Sequence, residues 1–257
     1  LKDKNIVKVW TGNHLDFSFK KKDTQKKFVG KKANNDICKY QLKNIKTNFS
    51  SNAIKINYKK KFWEITFDNN KVYHSKSLII TFPYIQLKKL AKNYLNKKLI
   101  NLNLKMNPNI TVMIATKSSK NIPISSLKLE DEIIAWVSNE NSKNRFKTSL
   151  NLWTIQTSLE YSKKIIDNYK NKKSFYINQI LDRFVELTGL SKSQIVFKSI
   201  HGWKYAYNSS NLKIKSYWNK KYNFGACGDW FRGPKVESAW ISSENLLYQI
   251  KKNPLKK

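Results

Sequence analysis

Arginine is scarce in this chain. Three of its 50 basic residues are arginine: Arg145, Arg183 and Arg232. The formal net charge of +33 therefore rests almost wholly on lysine. The residue that makes most bidentate contacts with bases and phosphates is nearly missing. The lysines are spread along the whole chain with many Asn and Ile residues, the mark of an AT-rich coding bias, and this argues against a dedicated nucleic-acid surface. Cysteine is equally sparse. Cys38 and Cys227 lie far apart and have no metal-type partners, so no zinc site is legible and a reducing, cytoplasmic compartment is expected. No run approaches the ~18 apolar residues of a membrane helix, so no membrane partner is expected. Among three histidines and 17 acidic residues there is no Ser-His-Asp set and no persuasive acid/base pair, so no catalytic residue is assigned. Glycine occurs seven times, at 12, 30, 189, 202, 225, 228 and 233. No two of these are separated by a single residue, so the Gly-x-Gly-x-x-Gly turn that holds a pyrophosphate is absent. The start, Leu1-Lys2-Asp3-Lys4, is neither a signal peptide nor an initiating methionine.

What is present is enough for a core: 257 residues, 40% hydrophobic and 13% aromatic. Residues 1–32 are polar and lysine-rich, without a clear period. Residues 34–44 read as a helix capped by Asn34 or Asn35. Strands are expected over 53–58, 62–67 and 72–74, with turn material at 68–71. Residues 77–82, a continuous apolar run ending at Pro83, read as a strand buried on both faces of a parallel sheet. A helix over 85–95 presents Leu87, Leu90, Ala91 and Leu95 on one face. Further strands are expected over 110–116, 133–138, 150–157 and 194–200. Helices are expected over 159–169 and 175–188, the second ended by Gly189. This is an α/β (α+β) pattern, in which an α+β segment lies between two parts of an α/β sheet.

The stretch 223–250 carries the chemistry. A strand of small residues runs into Gly228-Asp229, a short loop ends at Gly233-Pro234, and a helix follows, with Pro suited to its start. Val236, Ala239, Trp240, Leu246, Leu247 and Ile250 recur at helical spacing and predict one apolar face. The helix start offers free N–H groups and a positive dipole end to anionic or carbonyl oxygens. Gly228 permits close backbone approach, and Asp229 is an acceptor placed for hydroxyls.

From Gly228 to Ser242 the chain reads Gly-Asp-Trp-x-x-Gly-Pro-Lys-Val-Glu-x-Ala-Trp-x-Ser. This resembles the C-terminal flavin motif of FAD-dependent amine-oxidase-like proteins of the renalase type. His201-Gly202-Trp203-Lys204-Tyr205-Ala206 is similar to the His-x-Trp-x-Tyr-Ala segment that precedes that motif in the family. Phe28-Val29-Gly30 before a helix, the hairpin over 53–67, the strand ending Phe82-Pro83, and Trp136-Val137-Ser138-Asn139 with Ser142-Lys143 follow the family's order. The resemblance covers most of the chain from about Phe28.

It implies FAD as cofactor, a small-molecule substrate and no metal. The position of Asp229 would bind the ribityl chain. The helix start at Val236, Glu237 and Ser238 would lie by the flavin ring and use backbone N–H groups, Gly228 would bind the cofactor through close backbone approach, and Ala53 would lie at the adenosine end. Trp203 and Tyr205 would face the flavin and the substrate pocket; the plainer expectation for both is aromatic core packing, and for His201 a structural hydrogen bond. The implied architecture is a partial FAD-binding Rossmann-like domain with an inserted mixed-sheet substrate domain. Residues 1–83 and 216–257 would form the first, and 84–215 the second. The family opens on a strand, Gly-x-Gly-x-x-Gly and a helix, none of it found here, so the chain is expected to be a fragment that binds FAD weakly alone. The implied reaction is hydride transfer from an amine or a reduced nicotinamide-type substrate to flavin. Two rivals remain: a cofactor-less relic or binding module of the same fold, and a lysine-rich nucleic-acid-binding protein.

Overall fold

The computed structural model describes residues 2–18, 20, 26–117, 122–210 and 212–253. In chain order the first stretch holds β1 (Val7–Val9), β2 (His14–Leu15), β3 (Phe28–Gly30) and α1 (Asp36–Gln41). Next come β4 (Ala53–Lys59), β5 (Phe62–Phe67), β6 (Val72–Ser75), β7 (Leu78–Ile80), α2 (Tyr84–Ala91) and α3 (Lys97–Ile100). The middle contains β8 (Asn107–Thr116), β9 (Ser126–Lys128), β10 (Ile134–Asn139), β11 (Asn151–Thr157), α4 (Leu159–Ile165), α5 (Lys173–Thr188) and β12 (Ile195–Tyr207). The chain closes with β13 (Tyr217–Asn219), β14 (Phe224–Ala226) and α6 (Val236–Lys252).

Two compact units result: residues 1–47 with 108–204, and 48–107 with 205–257. The mixed-sheet segment is thus inserted in the chain between the two stretches of the other unit. In compactness the cuts fall at 47/48, 107/108 and 204/205 rather than at 83/84 and 215/216. Residues 84–107 stay with 48–83 because α2 turns Tyr84, Leu87 and Ala91 into the same core as Trp63 and Phe224.

The inserted unit is built on a six-stranded sheet in the order β12-β8-β11-β10-β9-β2. It is antiparallel through β8, β11, β10 and β9, while β2 joins β9 in parallel. α5 covers one face with Ile177, Ile180, Leu181 and Phe184, and Phe184 meets Trp153 edge-on at 5.6 Å. Gly189 stops α5 in the left-handed conformation at φ 64°. The polar N-terminal stretch, without a readable period, supplies β1 and β3, an antiparallel pair.

The second unit has two small sheets. β4, β5 and β6 form an antiparallel meander. Its first turn places both Lys60 and Lys61 at positive φ, 49° and 68°, the mirror-image turn that two-residue hairpins require and that Asn-Gly usually fills. Trp63 is fully buried behind it. Its Nε1–H donates to the Tyr222 carbonyl at 2.8 Å, and its ring packs against Tyr58, Tyr94 and Phe224. The other sheet, in the order β13-β14-β7, pairs β14 with β13 antiparallel and with β7 in parallel. β7 was expected to be buried on both faces. It is instead the sheet's last strand, and Ile79 is 48% exposed. Among the described residues no helix is long and apolar enough to cross a membrane.

Candidate functional site

β7 and β14 run in parallel, so their carboxyl ends meet at one end of the sheet, at Thr81–Phe82 and Cys227–Asp229. In open α/β sheets ligands bind outside the carboxyl ends of the strands. The backbone holds this end together: Cys227 N–H donates to the Ile80 carbonyl, and Trp230 Nε1–H donates to the Phe82 carbonyl at 3.0 Å.

Gly228 begins the turn. A Cβ there would come within 3.0 Å of the Trp230 indole, and the Thr81 carbonyl would lie at 3.7 Å. Glycine here leaves room for the indole edge, a different reason from the close approach of a ligand. The Gly228 N–H donates to Ser242 Oγ at 3.0 Å, and Ser242 Oγ donates to the Lys215 carbonyl at 2.6 Å. Ser242 is fully buried and ties the turn to the helix. The sequence motif contained it without assigning it a task. Its signal was a small polar residue one helical turn beyond Ser238.

Asp229 opens a 3-10 turn with Trp230 and Phe231, whose rings are buried and stacked at 3.7 Å. Its carbonyl accepts from the N–H groups of Arg232 and Gly233, both at 2.8 Å. Its carboxylate is half-buried. Burial pushes its pKa above the ordinary carboxyl value, partly opposed by the N–H groups of Trp230 and of Asp229 itself. Among the described residues no side chain donates to it, so it keeps acceptor capacity for a hydroxyl. Gly233 has φ 113°, a region that favours glycine, and the space beside it is open.

α6 begins at Val236, two residues after Pro234, with extended Lys235 as its cap residue and no side-chain cap. The first bonds of the helix, from Ser238 and Ala239 to the Lys235 carbonyl, leave the N–H groups of Val236 and Glu237 outside the ladder. Both residues are exposed, whereas the Ser238 side chain is buried. The expected apolar face of α6 requires correction. Val236, Trp240 and Leu247 are 73%, 56% and 46% exposed, and the helix packs through Ser238, Ser242 and Leu246. Leu246 lies over Gly225, its methyls 3.1–3.2 Å from where a Cβ would be.

Ala53 begins β4 beside a bulge: the pairing shifts between Ala53 and Lys55, which turns Ile54 outward. Ala53 lines an open groove of about 460 Å³ with Asn52, Phe82, Gln86, Leu90 and Tyr205. That is large enough for a small-molecule fragment. Phe82 lines this groove and also accepts from Trp230, so groove and glycine turn flank the same strand end. Seven of the eight residues singled out from sequence, namely Ala53, Tyr205, Gly228, Asp229, Val236, Glu237 and Ser238, lie in this one unit. Trp203 lies in the other. Core packing does not describe it, since it is half-exposed with its ring 4.3 Å from His201, which it meets edge-on.

The middle motif has a task of its own in the inserted unit. Lys143 is buried, pairs with Glu140 at 2.6 Å and sits 4.8 Å above the Trp10 ring, and burial lowers its pKa. Trp10 Nε1–H donates to Ser142 Oγ, so the cluster clamps the N-terminal strands to the 139–144 turn. Among the described residues no group of three His, Cys, Asp or Glu side chains gathers as a metal site would require.

No known protein-family profile matches the chain. Its fold matches solved oxidases. A protein from Exiguobacterium sp. 255-15 designated a protoporphyrinogen oxidase superposes with TM-score 0.67 at 9% identity, over 90% of this chain and 53% of that one. A putrescine oxidase variant redesigned in cofactor binding gives 0.61 at 8% identity, over 88% and 54%. Cyclohexylamine oxidase from Brevibacterium oxydans IH-35A gives 0.53 at 9% identity, over 79% and 48%. The chain thus has the fold of about half of these oxidases and spans about half their length.

Proposed function

We propose that this chain is part of a FAD-dependent oxidoreductase of the amine-oxidase type, related to the renalase-like group, and holds the ribityl and ring end of the flavin. The observation that carries the proposal is the junction at the carboxyl ends of β7 and β14. There a half-buried Asp229 has unspent acceptor capacity, an uncapped 17-residue helix follows, and Phe82 lines an open groove. The residues present fit the sugar chain and ring of a flavin. They do not fit its pyrophosphate, for which the chain has no Gly-x-Gly-x-x-Gly turn.

A bound flavin supplies hydride acceptance from a small-molecule substrate, an amine or a reduced nicotinamide-type compound. The chain's own residues position the cofactor. Asp229 would accept from ribityl hydroxyls. The N–H groups of Val236 and Glu237, with the positive end of the helix dipole behind them, would donate to an electron-rich edge of the ring. Ala53 marks the adenosine side of the groove, and Tyr205 lines its wall. Trp203 is assigned to the substrate side. The lysines, spread along the whole chain with few arginines, reflect coding composition, and the proposal includes no nucleic-acid or membrane partner.

Flavin fluorescence titration at moderate salt tests this. The purified chain should quench riboflavin and FAD with weak, saturable affinity. Asp229→Ala should weaken both by roughly tenfold or more, the worth of a charge-assisted hydrogen bond. Binding of neither flavin at millimolar concentration would leave the cofactor-less relic. Tight FAD binding indifferent to Asp229→Ala would place the flavin elsewhere.

A further inference from the structure

The turn from β3 into α1 lines a concave surface in the unit of residues 1–47 and 108–204. Its backbone is fixed. Asp36 accepts from the N–H groups of Lys32 and Ala33 at 2.6 and 2.9 Å. Arg145, whose side chain is 6% exposed, donates from Nε to the Gly30 carbonyl at 3.2 Å and from its guanidinium to Asn34 Oδ1. Lys31 N–H donates to the Ile6 carbonyl at 2.9 Å, just beyond the β1–β3 pair. Asp36, Lys39, Tyr40 and Lys43 recur at helical spacing, so they share one face of α1 and of the turn after it. The result is a pocket of about 290 Å³ lined by Lys31, Lys32, Lys39 and Lys43 with Tyr40 and Asp36.

We propose that this pocket binds a diphosphate group, either as inorganic diphosphate or as part of a nucleoside diphosphate. The first support is unspent charge. Among the described residues none of the four lysines forms an ion pair, whereas Lys143, Lys163, Lys192 and Lys204 each do. Asp36 is the one acidic lining residue, and its carboxylate is occupied by two backbone N–H groups. Four ammonium groups against one carboxylate leave an excess of three positive charges, and a diphosphate carries about three negative ones at neutral pH. A monocarboxylate leaves most of that excess unmet. A cleft lined by one sign of charge concentrates its counter-ion. The second support is convergence. Lysine is four of the eight lining residues against 47 of 257 in the chain, so composition supplies the lysines but the fold gathers them. The third is the kind of donor. Lysine offers compact point charges that suit phosphate oxygens, while Arg145, with the planar fork that matches carboxylates, is committed to the loop. Tyr40 is 39% exposed and offers a ring face to a base. Neither the pocket nor its test rests on the flavin reading.

Calorimetric titration of the whole chain with inorganic diphosphate, in about 0.15 M salt to screen long-range attraction, tests the site. One saturable site is expected. Lys39→Gln with Lys43→Gln should weaken it by about tenfold. Lys97→Gln with Lys98→Gln removes the same charge from exposed positions of α3 in the other unit and should change affinity by under about twofold. In the unsubstituted chain, diphosphate should move the amide resonances of Lys32, Lys39 and Lys43 and leave those of Lys97 and Lys98 in place. ADP decides the source. Affinity equal to that of diphosphate means that the group alone is read. Tighter binding that Tyr40→Ala brings level means a nucleoside diphosphate. Equal losses in the two double variants, citrate binding as tightly as diphosphate, or no saturation by about 10 mM would each overturn the proposal.

Discussion

The side chain that joins the glycine turn to α6 is Ser242, and its removal has a calculable cost. Ser242 Oγ is fully buried, accepts from Gly228 N–H at 3.0 Å and donates to the Lys215 carbonyl at 2.6 Å. Ser242→Ala leaves the part-buried Gly228 N–H and the part-buried Lys215 C=O without their partner. A fully buried group of this kind costs about 1–3 kcal/mol, and at these part-buried positions the low end applies, so the pair costs about 2 kcal/mol. For a unit of this size that is a fall of roughly 10 °C in Tm. Urea unfolding followed by tryptophan fluorescence should show the midpoint shift at constant slope, and the Gly228 amide should lose protection from hydrogen exchange. Ser243→Ala is the control, since Ser243 is exposed and its Oγ only bonds back to the Trp240 carbonyl. A loss no larger than the ~0.5 kcal/mol of an ordinary surface change would mean that the turn is held by something other than Ser242.

Asp229 predicts a pH effect. Its folded pKa is raised, so between the unfolded value and that raised value the native state holds more protons, and stability falls as pH rises through the window. Asp229→Asn should flatten this slope and make the chain more stable at neutral pH, as read from Tm against pH. Gly233→Ala should destabilise by about 1–3 kcal/mol in urea titration, wholly through its backbone at φ 113°, because no atom lies within 4 Å of the added methyl. Leu246→Ala should cost about 2–5 kcal/mol, whereas Leu247→Ala, one residue on and exposed, should cost under about 0.5 kcal/mol in the same assay. Equal effects at 246 and 247 would refute the assigned packing face of α6.

Local signals were strong where chemistry is local. The hairpin over 53–67 was legible because alternation and a turn define it, and α5 because its apolar period ends at Gly189 in the left-handed conformation. The segment from Phe224 to the α6 helix was legible as strand, turn and helix for similar reasons. The N-terminal strands were not, because β1, β2 and β3 are two or three residues long and exist through partners far along the chain. The packing face of α6 was misread for a physical reason. Hydropathy ranks Val236, Trp240 and Leu247 above Ser238 and Ser242, but Ser242 is held inward by its bonds to Gly228 and Lys215, on the face where Leu246 packs over Gly225. β7 shows the converse: its composition is that of an interior strand, and its place in the structure is an edge.

By itself, then, the sequence determined the element types, the position of the glycine turn between strand and helix, and the missing pyrophosphate turn, because each depends on residues close together in the chain. Only the tertiary structure decided that Ala53 and Tyr205 share a groove. It alone decided that Phe82 lines that groove while its carbonyl accepts from Trp230, that Ser242 anchors Gly228, and that Val236, Trp240 and Leu247 face outward. Those facts depend on which distant segments pack together, and packing is decided by shape and by paired backbone groups that no local pattern contains.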